Sequence, residues 1–181
     1  MIGARLGEPG LHPPGKGIVV TQEPVPSGEL LGRLREAYSG EVNGAILFDE
    51  LAARAVDDYQ REVYAVHQQV EATTRDALKP VLARYGLPAA EEPDARYAGF
   101  LKFFTDRSWD AIWKDLEPQL AGAVDRFRAI RDALDPADPG LVALVVHEES
   151  LLAFSRAEQA GERTTALDPM RAYLATHGSA S

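Results

Sequence analysis

The amino-acid sequence predicts an all-α protein, an antiparallel bundle of four long helices with an irregular N-terminal arm and short extra helices. Four long stretches of the 181-residue chain carry apolar residues with the 3.6-residue period of an amphipathic helix. Segments rich in proline or glycine separate these stretches. Alternating β-branched segments, the mark of strands, are almost absent from the sequence. Long helices joined by modest loops favour a bundle.

The first two long helices follow from their apolar stripes. The first is expected to begin after Ser27, a suitable N-cap, and to run to about Val56. Its stripe comprises Leu31, Leu34, Tyr38, Glu41, Ala45, Phe48 and Ala52. The second is expected over residues 59–85, with Gly86 as its stop and Pro80 as a kink or a loosened backbone bond. Its stripe comprises Tyr64, His67, Glu71, Thr74, Leu78 and Leu82.

The second half of the chain predicts two further long helices. Residues 94–104 are expected to form a short helix, and a third long helix starts near Ser108, a good N-cap. Pro118 interrupts that helix and predicts a bend or a break. A fourth long helix is expected over residues 141–160, and residues 168–177 predict a last short helix.

The amino-acid composition and net charge argue against several classes of protein. The net charge of −9, with no local basic cluster, argues against binding to nucleic acid or to an anionic membrane. The absence of cysteine excludes disulfides and thiolate metal sites. With no signal peptide and no apolar run of about 18 residues, a cytoplasmic protein is the expectation. We divide the chain into an arm (1–27), one bundle domain (28–175) and a frayed tail (176–181).

Three acidic residues occupy stripe positions where a helical protein normally places leucine. They are Glu41, Glu71 and Glu148, on three different helices, with His147 beside Glu148 and His67 one turn before Glu71. A carboxylate in a dry interior costs several kcal/mol unless it is paired, protonated or bound to a metal. We therefore expect these acids to meet inside the protein.

Simpler interpretations stand beside this one. Glu41 at a helix edge would reach water or pair with an arginine, and His67 would be a core histidine satisfied by a carboxylate. Asn43, on the other face of the first helix, is expected to be solvated. Gly40 and Gly44 flank Glu41, and glycine inside a helix is costly, which indicates the close approach of a helix or a ligand.

Several segments resemble the helices of the ferritin-like superfamily, in particular its rubrerythrin-like and di-iron-carboxylate members. The motifs are Tyr38-Ser39-Gly40-Glu41 for the first helix, Val70-Glu71-Ala72-Thr73-Thr74 for the second and His147-Glu148 for the fourth. The resemblance extends over residues 28–162. It implies a ferritin-like four-helix bundle around a mono- or dinuclear iron or manganese site.

The resemblance assigns ligands in part. Family members with a dinuclear centre use a Glu from each of two helices and Glu-x-x-His from each of the other two. Glu41 matches the first-helix Glu, and Glu71 matches the Glu of the second-helix motif, where Thr74 replaces the histidine. Glu117 is the best match for the third-helix Glu.

The fourth helix leaves two alternatives. His147 matches the histidine of its motif if Leu144 replaces the glutamate, or else Glu148 is the equivalent ligand. His67 offers a further nitrogen ligand on the second helix. Iron and manganese suit such imidazole and carboxylate donors.

These assignments lead to three functional hypotheses. The first is a non-haem iron or manganese oxidoreductase that activates dioxygen or peroxide toward a small-molecule substrate, with Tyr38 or Tyr64 as a nearby catalytic group. The alternative is a metal-free ferritin-like protein with a binding or structural role and paired buried acids. In a third, the aromatic cluster from Tyr97 to Trp113 covers a pocket or forms a homodimer interface, although core packing explains it more simply.

Overall fold

The computed structural model describes residues 26–178, and helices account for most of them. The helices are α1 (Gly28–Arg54), α2 (Asp58–Arg84), α3 (Tyr97–Thr105), α4 (Trp109–Leu134), α5 (Pro139–Ala160) and α6 (Asp168–His177). No strand occurs within this described range, so the prediction of an all-α protein is confirmed. The predicted arm up to residue 25 and the last three residues of the tail lie outside it. None of these helices has the length and apolar character that a membrane crossing requires.

Side-chain caps and glycines set the ends of the long helices. The Ser27 hydroxyl accepts a hydrogen bond from the amide of Leu30 at 3.2 Å, which confirms its predicted capping role. Asp138 caps α5 by accepting hydrogen bonds from the amides of Gly140 and Leu141. Gly161 ends α5 with a φ of +76°, a left-handed conformation that favours glycine.

The two prolines inside helices do not break them. Pro80 lies within α2 and Pro118 within α4, and both helices continue through them. Both prolines are exposed, and so are Asp76 and Lys114 four residues before them, so the carbonyls that lose a helical partner lie on the solvent side of each helix. The prediction of a break at Pro118 is therefore wrong.

The long helices form two antiparallel helical hairpins, α1 with α2 and α4 with α5. Short loops join α1 to α2 and α4 to α5, and both pairs are in extensive contact. The start of α4 meets the end of α5, where the Trp109 indole N–H donates to the Glu158 carboxylate at 2.6 Å. The α2 and α5 helices also pack together, and α6 covers both.

Unlike these pairs, α2 and α4 run in the same direction. Tyr64 near the start of α2 packs on Trp109 at the start of α4, with ring centroids 5.7 Å apart. Towards the opposite ends, Leu82 of α2 and Ile130 of α4 share one apolar cluster. The connecting segment, residues 85–108, must therefore return along the length of the molecule.

The connecting segment lies along α1 and is fixed there by Asp94. The Asp94 carboxylate accepts hydrogen bonds from the Ser39 hydroxyl at 2.7 Å and the Asn43 amide at 2.9 Å, and the Asp94 backbone N–H donates back to Asn43. Asn43 is thus fully buried beneath the connection, and the expectation that it is solvated is wrong. Further along, α3 places Phe104 against Phe48 of α1.

The core is divided into two apolar clusters along the helix axes. One contains Phe48, Val70, Trp113 and Phe154, and the other contains residues such as Leu34, Leu82 and Leu144. Glu71 and His147 occupy helix positions between these clusters, and Glu41 lies next to Val42 of the second cluster. The molecule therefore has a polar layer in the middle of its buried interior.

Gly140 allows α5 to approach α2 closely, and replacing it should destabilise the fold. A Cβ atom on Gly140 would lie 2.4 Å from the Ala77 carbonyl oxygen, which belongs to the backbone and cannot move aside. We expect Gly140→Ala to lower the free energy of unfolding by about 1–3 kcal/mol in a urea titration. Gly32→Ala is the control, because a Cβ there meets nothing within 4 Å. Equal stability of the two variants would contradict the close approach.

Candidate metal centre

Three residues that the sequence singled out converge in the polar layer. Glu41 of α1, Glu71 of α2 and His147 of α5 each place one potential ligand atom so that all three atoms lie within 4.8 Å of one another. All three side chains are buried. We call this group the Glu-Glu-His cluster. Acids from separate helices therefore do share one interior site, as expected for Glu41 and Glu71.

The imidazole of His147 lies between the two carboxylates. Its Nδ1 is 2.9 Å from Oε2 of Glu41, and its Nε2 is 3.6 Å from Oε1 of Glu71. Both contacts lie within ion-pair distance, but they are not aligned as hydrogen bonds. Both ring nitrogens of His147 and Oε2 of Glu41 therefore have no hydrogen-bond partner among the described residues. Three buried polar atoms that lie close together without aligned hydrogen bonds are suited to sharing a cation, either a proton or a metal ion.

Burial and mutual charge alter the protonation of the cluster. Burial raises the pKa of the Glu41 carboxyl to about 8, despite the nearby imidazole. Burial alone would lower the pKa of His147, but the carboxylates of Glu41 and Glu71 outweigh it and hold that pKa well above its usual value. Near neutral pH the cluster therefore holds protons that a metal ion would displace.

Glu148 is the third acid of the predicted set and lies beside the cluster rather than within it. Its side chain is buried, and burial raises the pKa of its carboxyl to about 7. The charges of His147 and Glu71 also act on it. Glu148 lines the same cavity as the cluster, and its role as an additional ligand stays a prediction.

Gly44 makes room for the Glu71 carboxylate. A Cβ atom at Gly44 would lie 2.4 Å from both Cδ and Oε2 of Glu71, so any larger residue would displace that side chain. A Cβ atom at Gly40 would meet nothing within 4 Å. The close approach predicted at the two glycines therefore occurs at Gly44 and not at Gly40.

His67 is buried among aromatic rings and lies outside the Glu-Glu-His cluster. Its ring centroid lies 4.6 Å from that of Phe48 and 4.8 Å from that of Phe154. Its Nδ1 lies 2.8 Å from the Val63 carbonyl oxygen, so a backbone group rather than a carboxylate satisfies this nitrogen. The role of His67 as a metal ligand stays a prediction.

The tyrosine at the cluster is one that the sequence did not single out. Tyr173 of α6 lies with its ring centroid 6.0 Å from that of His147, and its hydroxyl is 2.6 Å from the Thr74 hydroxyl. Tyr38 and Tyr64, the predicted catalytic tyrosines, are buried elsewhere and do not line the cavity at the cluster. The sequence places Tyr173 on a short helix, but it does not show that this helix packs on His147.

Two further positions of the family pattern have other roles. Thr74, which replaces the motif histidine, bonds to the Val70 carbonyl oxygen at 2.9 Å and to Tyr173. Glu117 of α4 accepts hydrogen bonds from Arg156 at 2.9 Å and from Gln159 at 2.8 Å. Glu117 is therefore engaged on another face, and the Glu-Glu-His cluster includes no residue of α4.

A cavity of about 260 Å³ lies next to the cluster. The polar residues that line it are Glu41, Glu71, His147, Glu148, His67, Gln119 and Arg126. Its apolar walls come from α1, α3, α4 and α5, and the contributing residues include Phe48, Phe104, Trp113, Leu116, Leu120 and Leu151. This arrangement agrees with the interpretation that the aromatic segment before and within α4 covers a pocket.

Comparison of the chain with protein-family models, with curated proteins and with solved structures gives no significant match. The resemblance to ferritin-like helices thus rests on the sequence motifs alone.

Proposed function

We propose that this protein is a ferritin-like four-helix-bundle metalloprotein, an iron- or manganese-dependent oxidoreductase that activates dioxygen or peroxide. The observation that carries this proposal is the convergence of Glu41, Glu71 and His147 within 4.8 Å in the buried polar layer. Side chains from three helices projecting inward onto one point are the way bundle proteins build metal sites.

The course of the chain supports the ferritin-like part of the proposal. Residues 85–108 return along α1, so that α2 and α4 run in the same direction. A single long crossover between two helical hairpins distinguishes ferritin-like bundles from simple up-and-down bundles.

The donor atoms suit the proposed metals. Two carboxylates and an imidazole are the ligand types that iron and manganese accept. A bound ion would supply redox chemistry toward dioxygen or peroxide, and three or four protein ligands leave coordination positions open for them. The chain's own contribution is to hold these ligands in place, with Gly44 making room for Glu71, and to limit water with apolar walls.

A specific contact also favours the metal-free alternative. A protonated His147 between Glu41 and Glu71 would neutralise part of the acidic charge without any ion. In that case the protein would use the bundle for a binding or structural role. Replacing a glutamate by glutamine would then keep or raise the melting temperature, and metal would have no effect.

Metal loading separates the two functions. We expect wild-type protein, loaded with ferrous ion under anaerobic conditions and desalted, to retain at least one ion per chain by elemental analysis. Glu41→Gln and Glu71→Gln keep the side-chain shape but remove a charged ligand, so metal affinity should fall by about tenfold or more. Glu36→Gln is the control, since Glu36 is exposed on the same helix as Glu41.

Thermal unfolding provides a second measure of the same binding. Metal should raise the melting temperature of wild type and of Glu36→Gln, because a ligand that binds the folded state stabilises it. The two cluster variants should lose most of this increase. Failure of wild type to bind iron or manganese at millimolar concentration would refute the metal centre.

A further inference from the structure

His67 lines the cavity and carries a buried hydrogen-bond acceptor that has no partner among the described residues. Its Nδ1–H donates to the Val63 carbonyl oxygen, so Nε2 carries the lone pair of the neutral ring. Burial lowers the pKa of His67 to about 3, which keeps the ring neutral at physiological pH. The side chain is 1% exposed, lines the cavity, and its Nε2 has no hydrogen-bond partner within residues 26–178.

Trp113 adds an unpaired donor beside it. Its ring centroid is 5.3 Å from that of His67, and it lines the same cavity. The buried indole Nε1–H also lacks a partner among the described residues. A buried polar group without a partner is costly, so an acceptor and a donor left unpaired on neighbouring rings indicate a ligand that satisfies them. A hydroxyl group both donates and accepts.

The remaining walls of the cavity indicate the size and polarity of the rest of the ligand. Phe48, Phe104, Leu116 and Leu120 supply aromatic and aliphatic surface. An apolar cavity of roughly 150 Å³ takes up a benzene ring, so about 260 Å³ has room for one substituted ring. Burying the charge of an aromatic acid is costly unless it is paired, and Arg126, the α4 cation that lines the cavity, is itself exposed, which favours a neutral molecule over an aromatic acid.

We propose that this cavity binds a small neutral phenol, with its ring against the apolar walls and its hydroxyl donating a hydrogen bond to Nε2 of His67. As an assignment of the substrate class, this inference rests on the proposed function. As a binding site it does not depend on a metal, because neither His67 nor the apolar walls belong to the Glu-Glu-His cluster.

The test compares two ligands of nearly equal shape, p-cresol and p-xylene, by calorimetric or NMR titration of the full chain in the presence of a chelator. We expect p-cresol to bind to wild type. The preference for p-cresol over p-xylene should fall about tenfold in His67→Phe, which keeps a ring but removes the acceptor. Leu120→Trp should abolish binding of both ligands by filling the cavity, whereas Val56→Trp, at an exposed site, should not.

A second measurement does not need a variant to fold. In ¹⁵N-labelled wild type, the Nε2 resonance of His67 should move on addition of p-cresol and remain in place with p-xylene. The proposal is overturned if p-cresol does not bind at millimolar concentration, if it binds without moving this resonance, or if a folded His67→Phe keeps the full preference. An enclosed water molecule that satisfies His67 would give the last two results.

The two proposals fail independently. Loss of metal binding with intact p-cresol binding would overturn the metal centre alone. Intact metal binding without p-cresol binding would overturn the phenol site alone.

Discussion

Metal affinity should rise by roughly tenfold to a hundredfold for each pH unit between about pH 6 and pH 8. A metal ion binds deprotonated ligands, and in the metal-free cluster Glu41 and His147 share at least one proton in this range. Burial raises the pKa of Glu41 to about 8, and the adjacent carboxylates keep the pKa of His147 high despite burial. The limit of a hundredfold corresponds to two protons released per ion. Competition of Mn²⁺ between the protein and a chelating dye at several pH values measures this slope.

The variant Glu41→Gln tests which group titrates. It should weaken Mn²⁺ binding and also flatten the pH dependence, because glutamine carries no carboxyl proton for the metal to displace and no longer raises the pKa of His147. The exposed Glu36→Gln should keep the wild-type slope. An affinity that does not change with pH would contradict the assignment of Glu41 and His147 as ligands.

The raised pKa values of Glu41 and His147 also predict how the stability of the metal-free protein changes with pH. The folded state holds a proton on Glu41 that the unfolded chain loses above its usual pKa of 4.5. The folded state therefore binds more protons between that value and about 8, so the contribution of Glu41 makes stability fall as the pH rises through this range. His147 acts in the same direction above its usual pKa of 6.5.

Gly44→Ala should remove metal binding while leaving the fold intact. Its Cβ would overlap the Glu71 carboxylate, which must then rotate away from His147. We expect metal affinity to fall at least about tenfold, as for the loss of a well-placed ligand. The helix itself gains up to about 1 kcal/mol from replacing glycine by alanine, which offsets the cost of moving Glu71. Elemental analysis and urea unfolding measure the two effects separately.

Gly40→Ala is the matched control, one turn earlier on the same helix. A Cβ atom there has nothing within 4 Å, so this variant should gain stability and keep its metal. Equal metal affinity in the two alanine variants would show that Glu71 does not act as a ligand in the conformation described here.

The helices and the members of the cluster were predictable because their signals are local. The period of the apolar stripes identified Glu41, Glu71 and Glu148 as acidic residues on buried faces, with His147 beside Glu148, and all four are buried. A charge on such a face must find compensation, so its position alone predicted a shared interior site.

Other parts of the site depend on contacts between distant segments, which periodicity does not encode. Asn43 lies on the side of α1 that looks solvent-facing in a helix projection, yet the connecting segment covers it through Asp94. Tyr173 reaches the cluster because α6 folds back over α2 and α5. The family pattern also misdirected the choice of Glu117, since a spacing rule does not show that Arg156 already holds that carboxylate.

The long return of the chain along α1 also affects the order of folding. Each helical hairpin makes its contacts between neighbours in sequence and so forms early, whereas docking of the two hairpins must wait for closure of the long connection. Glu41 and Glu71 belong to the first hairpin and His147 to the second. No half of the chain holds the complete ligand set, so the cluster assembles in the last step, and an ion captured there would slow unfolding by opposing separation of the hairpins.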